Sequence, residues 1–272
     1  MTHGLTYAVN CSILLTDLPV LERPAAARAA GFDAVEFWWP FAESVPADTE
    51  VDSFVRAIDD AGVRLTGLNL AAGDMPAGDR GLVSWTGREK ELQDNVDVVA
   101  DIAKRLGCNT FNALYGNRLD GVSPEQQDET ALANLTRAAS VLGAIGGRIV
   151  IEPVSGVAAY PLTTAADAIA VIERLGRTSG VHNVLLLADL YHLAVNGDDV
   201  PAAISAYAGR TGHVQIADAP GRGEPGTGDL PLDTWLAALE AAGYSGPVGL
   251  EYKATGDDPF AWLPRDRRAA GR

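Results

Sequence analysis

Three carboxylates stand where short apolar runs end. "RIVIEP" stops at Glu152, "VLLLADLYH" at Asp189, and "AAGYSGPVGLEYK" at Glu251. Between the last two, "HVQIAD" carries His213 and Gln215 on one side by the period of two of a strand, with Asp218 at its exit. Four successive runs thus bring three carboxylates and an amide or imidazole to one rim. Carboxylates crowded into a narrow mouth lose hydration and repel one another, so they take up protons unless a cation lies between them. A bound divalent cation is the simplest physical solution. Glu152, Asp189, Glu251 and the amide oxygen of Gln215 form a hard, oxygen-rich set. That set suits Mg²⁺ or Mn²⁺ better than a structural zinc, which favours Cys or His.

Other side chains complete the ring. His192 follows Asp189 by three and is in reach of a substrate oxygen or a ligand carboxylate. His213 lies one layer deeper than Gln215, where a satisfied buried imidazole is the alternative; His3 and His182 look incidental. Glu36 ends an apolar stretch and points into the same rim, and Asn69 and Asn112 stand near the exits of the third and fourth strands. Each is a candidate for orienting a polar substrate or partnering a ligand. The "FWWP" group at 37–40 either walls a pocket or packs against a neighbouring helix. An acidic substrate needs a cation, and Arg222, Arg88 and Lys253 are the candidates. Arg88 opens "REKE", so a structural salt bridge is its other reading.

The elements that must position these residues follow a repeated phrase. An alanine-rich helical segment ends in glycine and a short apolar strand follows, as in "AAARAAGFDAVEFWW", "AIDDAGVRLTGLNL", "DIAKRLGCNTFNAL" and "ALEAAGYSGPVGLEY". Gly31, Gly62, Gly107 and Gly243 sit where a helix C-cap favours positive φ. Strands are expected near 5–10, 32–38, 63–69, 108–114, 148–152, 184–189, 211–217 and 247–251. Helices are expected near 17–30, 49–61, 88–106, 124–142, 163–175, 199–208 and 231–242. Helix-to-strand joints are tight, whereas strand-to-helix joints such as 71–87 and 218–230 are long and polar. This asymmetry predicts a single closed (β/α)8 TIM barrel over 1–272, with its site on the strand C-terminal rim. The open doubly wound sheet is the alternative, but no G-x-G-x-x-G follows the first strand. The final "LPRDRRAAGR" reads as a short, frayed basic tail.

Bulk composition narrows the classes. The 272 residues, 47% hydrophobic, can bury a sizeable core, and a formal charge of −15 repels nucleic-acid backbones. Cys11 and Cys108 read as buried small hydrophobes rather than a disulfide framework. Neither a basic leader nor a long apolar span is present, so a soluble cytoplasmic protein with no membrane partner is expected. Oligomeric state is not legible; the aromatic loops are candidates for a homo-oligomer surface or for a pocket cap.

These motifs carry a family resemblance. "AARAAGFDAVEFWWP", "AAGDMPAGDRGLVSWTGREKE", "VIEPVS", "ADLYH", "HVQIAD" and "GLEYK" resemble, in order and separation, the hydroxypyruvate isomerase family within the xylose-isomerase-like TIM-barrel group. The resemblance runs to about residue 253 and is carried most specifically by the long third loop ending in "GRE". It implies a metal held by Glu152, Asp189, Gln215 and Glu251. It also implies Glu152 and Glu251 as the proton-moving pair, His192 as a substrate-binding histidine and Arg222 as a loop arginine near the substrate. Related sugar epimerases have histidine as the strand-seven ligand, so Gln215 favours the hydroxypyruvate isomerase branch. Asn112 departs from the pattern, standing where the family can show a histidine. The implied reaction interconverts hydroxypyruvate and tartronate semialdehyde with no organic cofactor. Isomerisation of 2-oxo-tetronate or epimerisation of a ketose at C3 is the near alternative. A metal-dependent phosphodiesterase of the apurinic endonuclease type and a non-enzymatic binding protein stand further off.

Overall fold

The computed structural model describes residues 1–269. Eight parallel strands close in chain order into a barrel. They are β1 (Tyr7–Asn10), β2 (Ala34–Phe37), β3 (Arg64–Asn69), β4 (Thr110–Asn112), β5 (Arg148–Ile151), β6 (Val184–Asp189), β7 (Thr211–Ile216) and β8 (Val248–Leu250). Their near-continuous burial, rather than an alternation, follows from helices covering the outer face while side chains fill the interior. Helices α1 (Arg23–Ala29), α2 (Asp48–Ala61), α3 (Glu89–Leu106), α4 (Pro124–Gly143) and α5 (Ala165–Ser179) follow the first five strands. After β6 come α6 (Leu190–Val195) and α7 (Val200–Tyr207), and α8 (Leu232–Ala241) precedes β8.

The expected glycine joints are present. Gly62 and Gly107 take φ of 64° and 68° as left-handed C-caps of α2 and α3, which lets each helix turn directly into the next strand. The sequence reading missed α6, because no glycine or proline marks its start. Its start signal is Asp189 itself, whose Oδ1 accepts from Tyr191 N at 2.9 Å and His192 N at 3.2 Å. The first helix is shorter than expected: proline at 19 and 24 brackets a 3₁₀ turn over Val20–Glu22, and α1 starts only at Arg23.

The C-terminal segment is docked through Arg268, which corrects the frayed reading. The Arg268 guanidinium donates to the carbonyls of Leu263, Ala30 and Phe260 and stacks over Phe32 and Phe260. Arg265 and Arg267 donate to Ala29 O and His3 O. Basic residues here satisfy carbonyls at the end of α1 and beside the barrel floor. Residues 270–272 of the expected tail lie outside the described residues. No helix among the described residues is long and apolar enough to cross a membrane.

Candidate active site

The C-terminal rim opens into a cavity of about 1010 Å³. Glu152, Glu251, His192, Arg222, Asn69 and Arg88 all line it, as do Trp38, Trp39 and Pro40 of the aromatic group. Phe37 instead packs in the core against Phe54. Of the four expected ligands, Glu152 and Glu251 line the cavity and Asp189 and Gln215 do not.

The acids converge as their strand positions require. Glu152 and Glu251 stand one residue past β5 and β8, and Asp189 ends β6 paired in register with Gln215 on β7. All four side chains are buried. Burial pushes the Glu152 carboxyl well above the ordinary range, and the charges of Glu251 and Asp189 add to this; Asn112 and Arg222 oppose it. Burial also raises Glu251, to about 8, against the lowering pull of Arg222 and with Asp189 and Glu36 reinforcing the rise. Such crowding favours either protons or a cation.

Arg222 supplies part of the missing charge. Its Nη2 donates to Glu251 Oε1 at 2.5 Å and lies 3.9 Å from Asp189 Oδ2. Burial alone would lower its pKa, but Glu251, Asp189 and Glu152 more than offset that and raise it. The residue has φ 59°, a left-handed conformation uncommon outside glycine, and its carbonyl accepts from Lys253 N at 2.8 Å. Its guanidinium lies 5.4 Å from the Tyr191 ring centroid.

His192 is fixed as a hydrogen-bond donor toward the site. The Ser155 backbone N–H can only donate, and it meets His192 Nδ1 at 3.1 Å, with Ser155 Oγ 2.7 Å away. Nε2 therefore carries the proton, 3.6 Å from Asp189 Oδ2. Burial lowers the His192 pKa, with Asp189 pulling the other way and Arg222 reinforcing the fall. Asp189, His192 and Glu251 each offer an atom within 4.8 Å of the others. The tautomer makes the imidazole a partner of oxygen atoms rather than a lone-pair ligand.

The donor set fits a hard divalent cation. Asp189 Oδ2 and Gln215 Oε1 are buried without hydrogen-bond partners among the described residues, a costly state for acceptor atoms in a closed interior. Both belong to the expected ligand set. Asn112 Oδ1 shares this condition.

Three expectations need correction. Lys253 is exposed and does not line the cavity, because β8 ends at Leu250 and the period of two no longer holds two residues past Glu251. Glu36 does not reach the rim; it is held inside the barrel by Asn10, His213 and Gln215. Asn112 faces a void of about 10 Å³ beneath the site rather than the open cavity, so its substrate reading falls, while its ligand-partner reading stands in a side-chain hydrogen bond to Glu152. Arg88 takes both of its readings, lining the cavity while making a bidentate pair with Glu91 at 2.7 Å per bond. Sequence reasoning missed Asn10, which bridges Glu36 and Glu251, and Ser155, which fixes His192. Neither is charged, and neither signals its partner through spacing.

The family model described as xylose isomerase-like TIM barrel matches residues 24–270. A Streptomyces coelicolor protein named "Putative hydroxypyruvate isomerase" is 54% identical, the match covering 97% of each chain. Hydroxypyruvate isomerase of Escherichia coli is 33% identical, over 95% of this chain and 98% of its own. A crystal structure of AP endonuclease, family 2 from Brucella melitensis superposes with a TM-score of 0.85 at 32% identity, covering 95% of this chain and 98% of that one. With the closed barrel, the clustered rim acids and these relatives in agreement, this chain belongs to the hydroxypyruvate isomerase family, within the xylose isomerase-like TIM barrels, and is an enzyme of the isomerase class.

Proposed function

We propose that this enzyme interconverts hydroxypyruvate and tartronate semialdehyde by proton transfer through an enediolate, with Mg²⁺ or Mn²⁺ held by Glu152, Asp189, Gln215 and Glu251. The observation that carries this reading is the convergence of those four buried side chains from β5 to β8, two of them with oxygens left unpaired. A divalent cation there supplies charge that polarises the substrate carbonyl and stabilises the developing enediolate.

The chain's own groups do the rest. Glu251, steadied by Asn10 and Arg222, takes the proton from the carbon beside the carbonyl. Glu152, deprotonated when it holds the cation, takes up a solvent proton during the cycle and delivers it to the neighbouring carbon. One C–H breaks and one forms, while the hydroxyl proton passes to the former carbonyl oxygen, so the reaction is redox-neutral overall. His192 Nε2–H donates to the oxygen that gains charge. Arg222 receives the substrate carboxylate. No organic cofactor enters this route, and the buried thiols of Cys11 and Cys108 suit a cytoplasmic setting.

The volume of the cavity favours a second reading. At about 1010 Å³ it lies at the upper end for sites that enclose drug-sized ligands, so a four-carbon keto acid such as 2-oxo-tetronate also fits. Both acids and a neutral ketose should be turned over in D₂O and followed by NMR. The expected result is turnover of the keto acids with deuterium entering the carbon next to the carbonyl. Full retention of substrate hydrogen through many turnovers contradicts glutamate-mediated proton transfer.

A further inference from the structure

Beneath the acids the barrel holds a polar cluster that the chemistry above leaves unused. Glu36 on β2 reaches across the interior to β7, with Oε2 2.6 Å from His213 Nε2 and Oε1 accepting from Gln215 Nε2 at 2.7 Å. Oε1 also accepts from Asn10 Nδ2 at 3.0 Å, and the same Nδ2 lies 3.1 Å from Glu251 Oε2. All these side chains are buried. Two strand glycines leave the space for Glu36. A Cβ at position 249 would stand 2.4 Å from Glu36 Oε1, and one at 67 would stand 3.2 Å from Glu36 Cβ.

We infer that Glu36 is a positioning residue that fixes the Gln215 amide with its oxygen free for the cation; the inference rests on the cation site proposed above. The two ends of an amide are nearly isosteric, so packing alone does not choose between them. An oxygen that already accepts from Asn10 admits the Gln215 nitrogen and repels its oxygen. With Nε2 committed to Glu36, Oε1 is the atom left over. It is buried and unpartnered, on a residue paired with Asp189 across β6 and β7. A reversed amide would turn hydrogens, not a lone pair, toward the cation. The competing use of Gln215 Oε1 is a single water in the void of about 10 Å³, which is at the lower limit for holding one.

The test is a Mn²⁺ titration followed by electron paramagnetic resonance, on metal-stripped full-length protein. Wild type, Glu36→Gln, Gln215→Ala and the double variant are compared, with the metal-free unfolding midpoint of each measured alongside. Outer partners of ligands typically contribute about 10–100-fold to metal affinity, and Glu36→Gln should weaken Mn²⁺ binding by that order. Gln215→Ala should weaken it equally, and the double variant should be no weaker than Gln215→Ala by more than about twofold. Wild-type affinity in Glu36→Gln overturns the inference. So does an undiminished effect of Glu36→Gln in the Gln215→Ala background, which would mean that Glu36 acts through charge alone. Wild-type affinity in Gln215→Ala would leave the amide to the water. Absence of Mn²⁺ binding by the wild type removes the cation reading itself, an outcome distinct from these. Should Glu36→Gln fail to fold, Glu36→Asp keeps the charge but is too short to reach the amide, and it should weaken Mn²⁺ binding likewise.

Discussion

Arg222 places one guanidinium nitrogen between Glu251 and Asp189, and the residues around it set the proton balance of the site. The folded-state pKa of Glu251 is raised from 4.5 to about 8, mainly by burial. Between those values the native chain keeps a proton that the unfolded chain has released. The stabilising contribution is therefore complete below 4.5 and is lost as pH rises through about 8. Glu152 acts in the same direction. Cation binding needs these protons gone, so Mn²⁺ affinity should climb across the window in which metal-free stability falls. Unfolding midpoints taken with and without Mn²⁺ across that range should diverge as pH rises. Arg222→Ala should move the divergence to higher pH, since Arg222 lowers the Glu251 pKa. Parallel midpoints at every pH would refute this account of the carboxylates. At this scale the sequence revealed the acids because each ends an apolar run. It concealed Asn10 and Ser155 because an uncharged side chain shows its role only through a partner distant in sequence. Lys253 was misplaced for a related reason: strand periodicity was carried past the point where the strand ends.

Loops and short helices decide how these groups are held. The loop after β7 is organised by Asp218, buried, which accepts from Ala219 N, Gly226 N and Leu230 N at 2.8–3.0 Å. This loop carries Arg222 over the site. Asp218→Ala would remove three loop hydrogen bonds, each worth about 0.5–1.5 kcal/mol. Thermal unfolding should show a loss of that order, and KM for the keto acid should rise as Arg222 loses its anchor. An unchanged KM would mean that the loop positions Arg222 without Asp218. The third loop is likewise fastened. Ser84 N donates to Tyr115 O at 2.7 Å, Asn134 Nδ2 to Val83 O at 2.9 Å and Gln127 Nε2 to Ser84 O at 3.3 Å. The alternation of helices and strands was legible because glycine caps and apolar runs are local signals. The fastenings of the third loop were not, because each joins segments far apart in sequence. The short helix α6 was hidden for a different reason: its cap is Asp189, which read as a ligand and not as a helix start.

Across the whole molecule, charge and cavity point the same way. A net charge of −15 opposes approach to DNA, although AP endonuclease, family 2 from Brucella melitensis shares the fold. The one rim that gathers buried acids also gathers Arg222 and a large cavity, which suits a small anion drawn to local positive charge. The strand C-terminal ends carry this chemistry, while the C-terminal segment docks at the opposite end, on the carbonyls of His3 before β1 and Ala30 before β2. The central claim is that four side chains from neighbouring strands share one cation, and anomalous diffraction from crystals soaked in Mn²⁺ tests it most directly. The account predicts a single strong peak within about 2.0–2.3 Å of oxygens from Glu152, Asp189, Gln215 and Glu251. A peak elsewhere, or none at concentrations that support turnover, would contradict it.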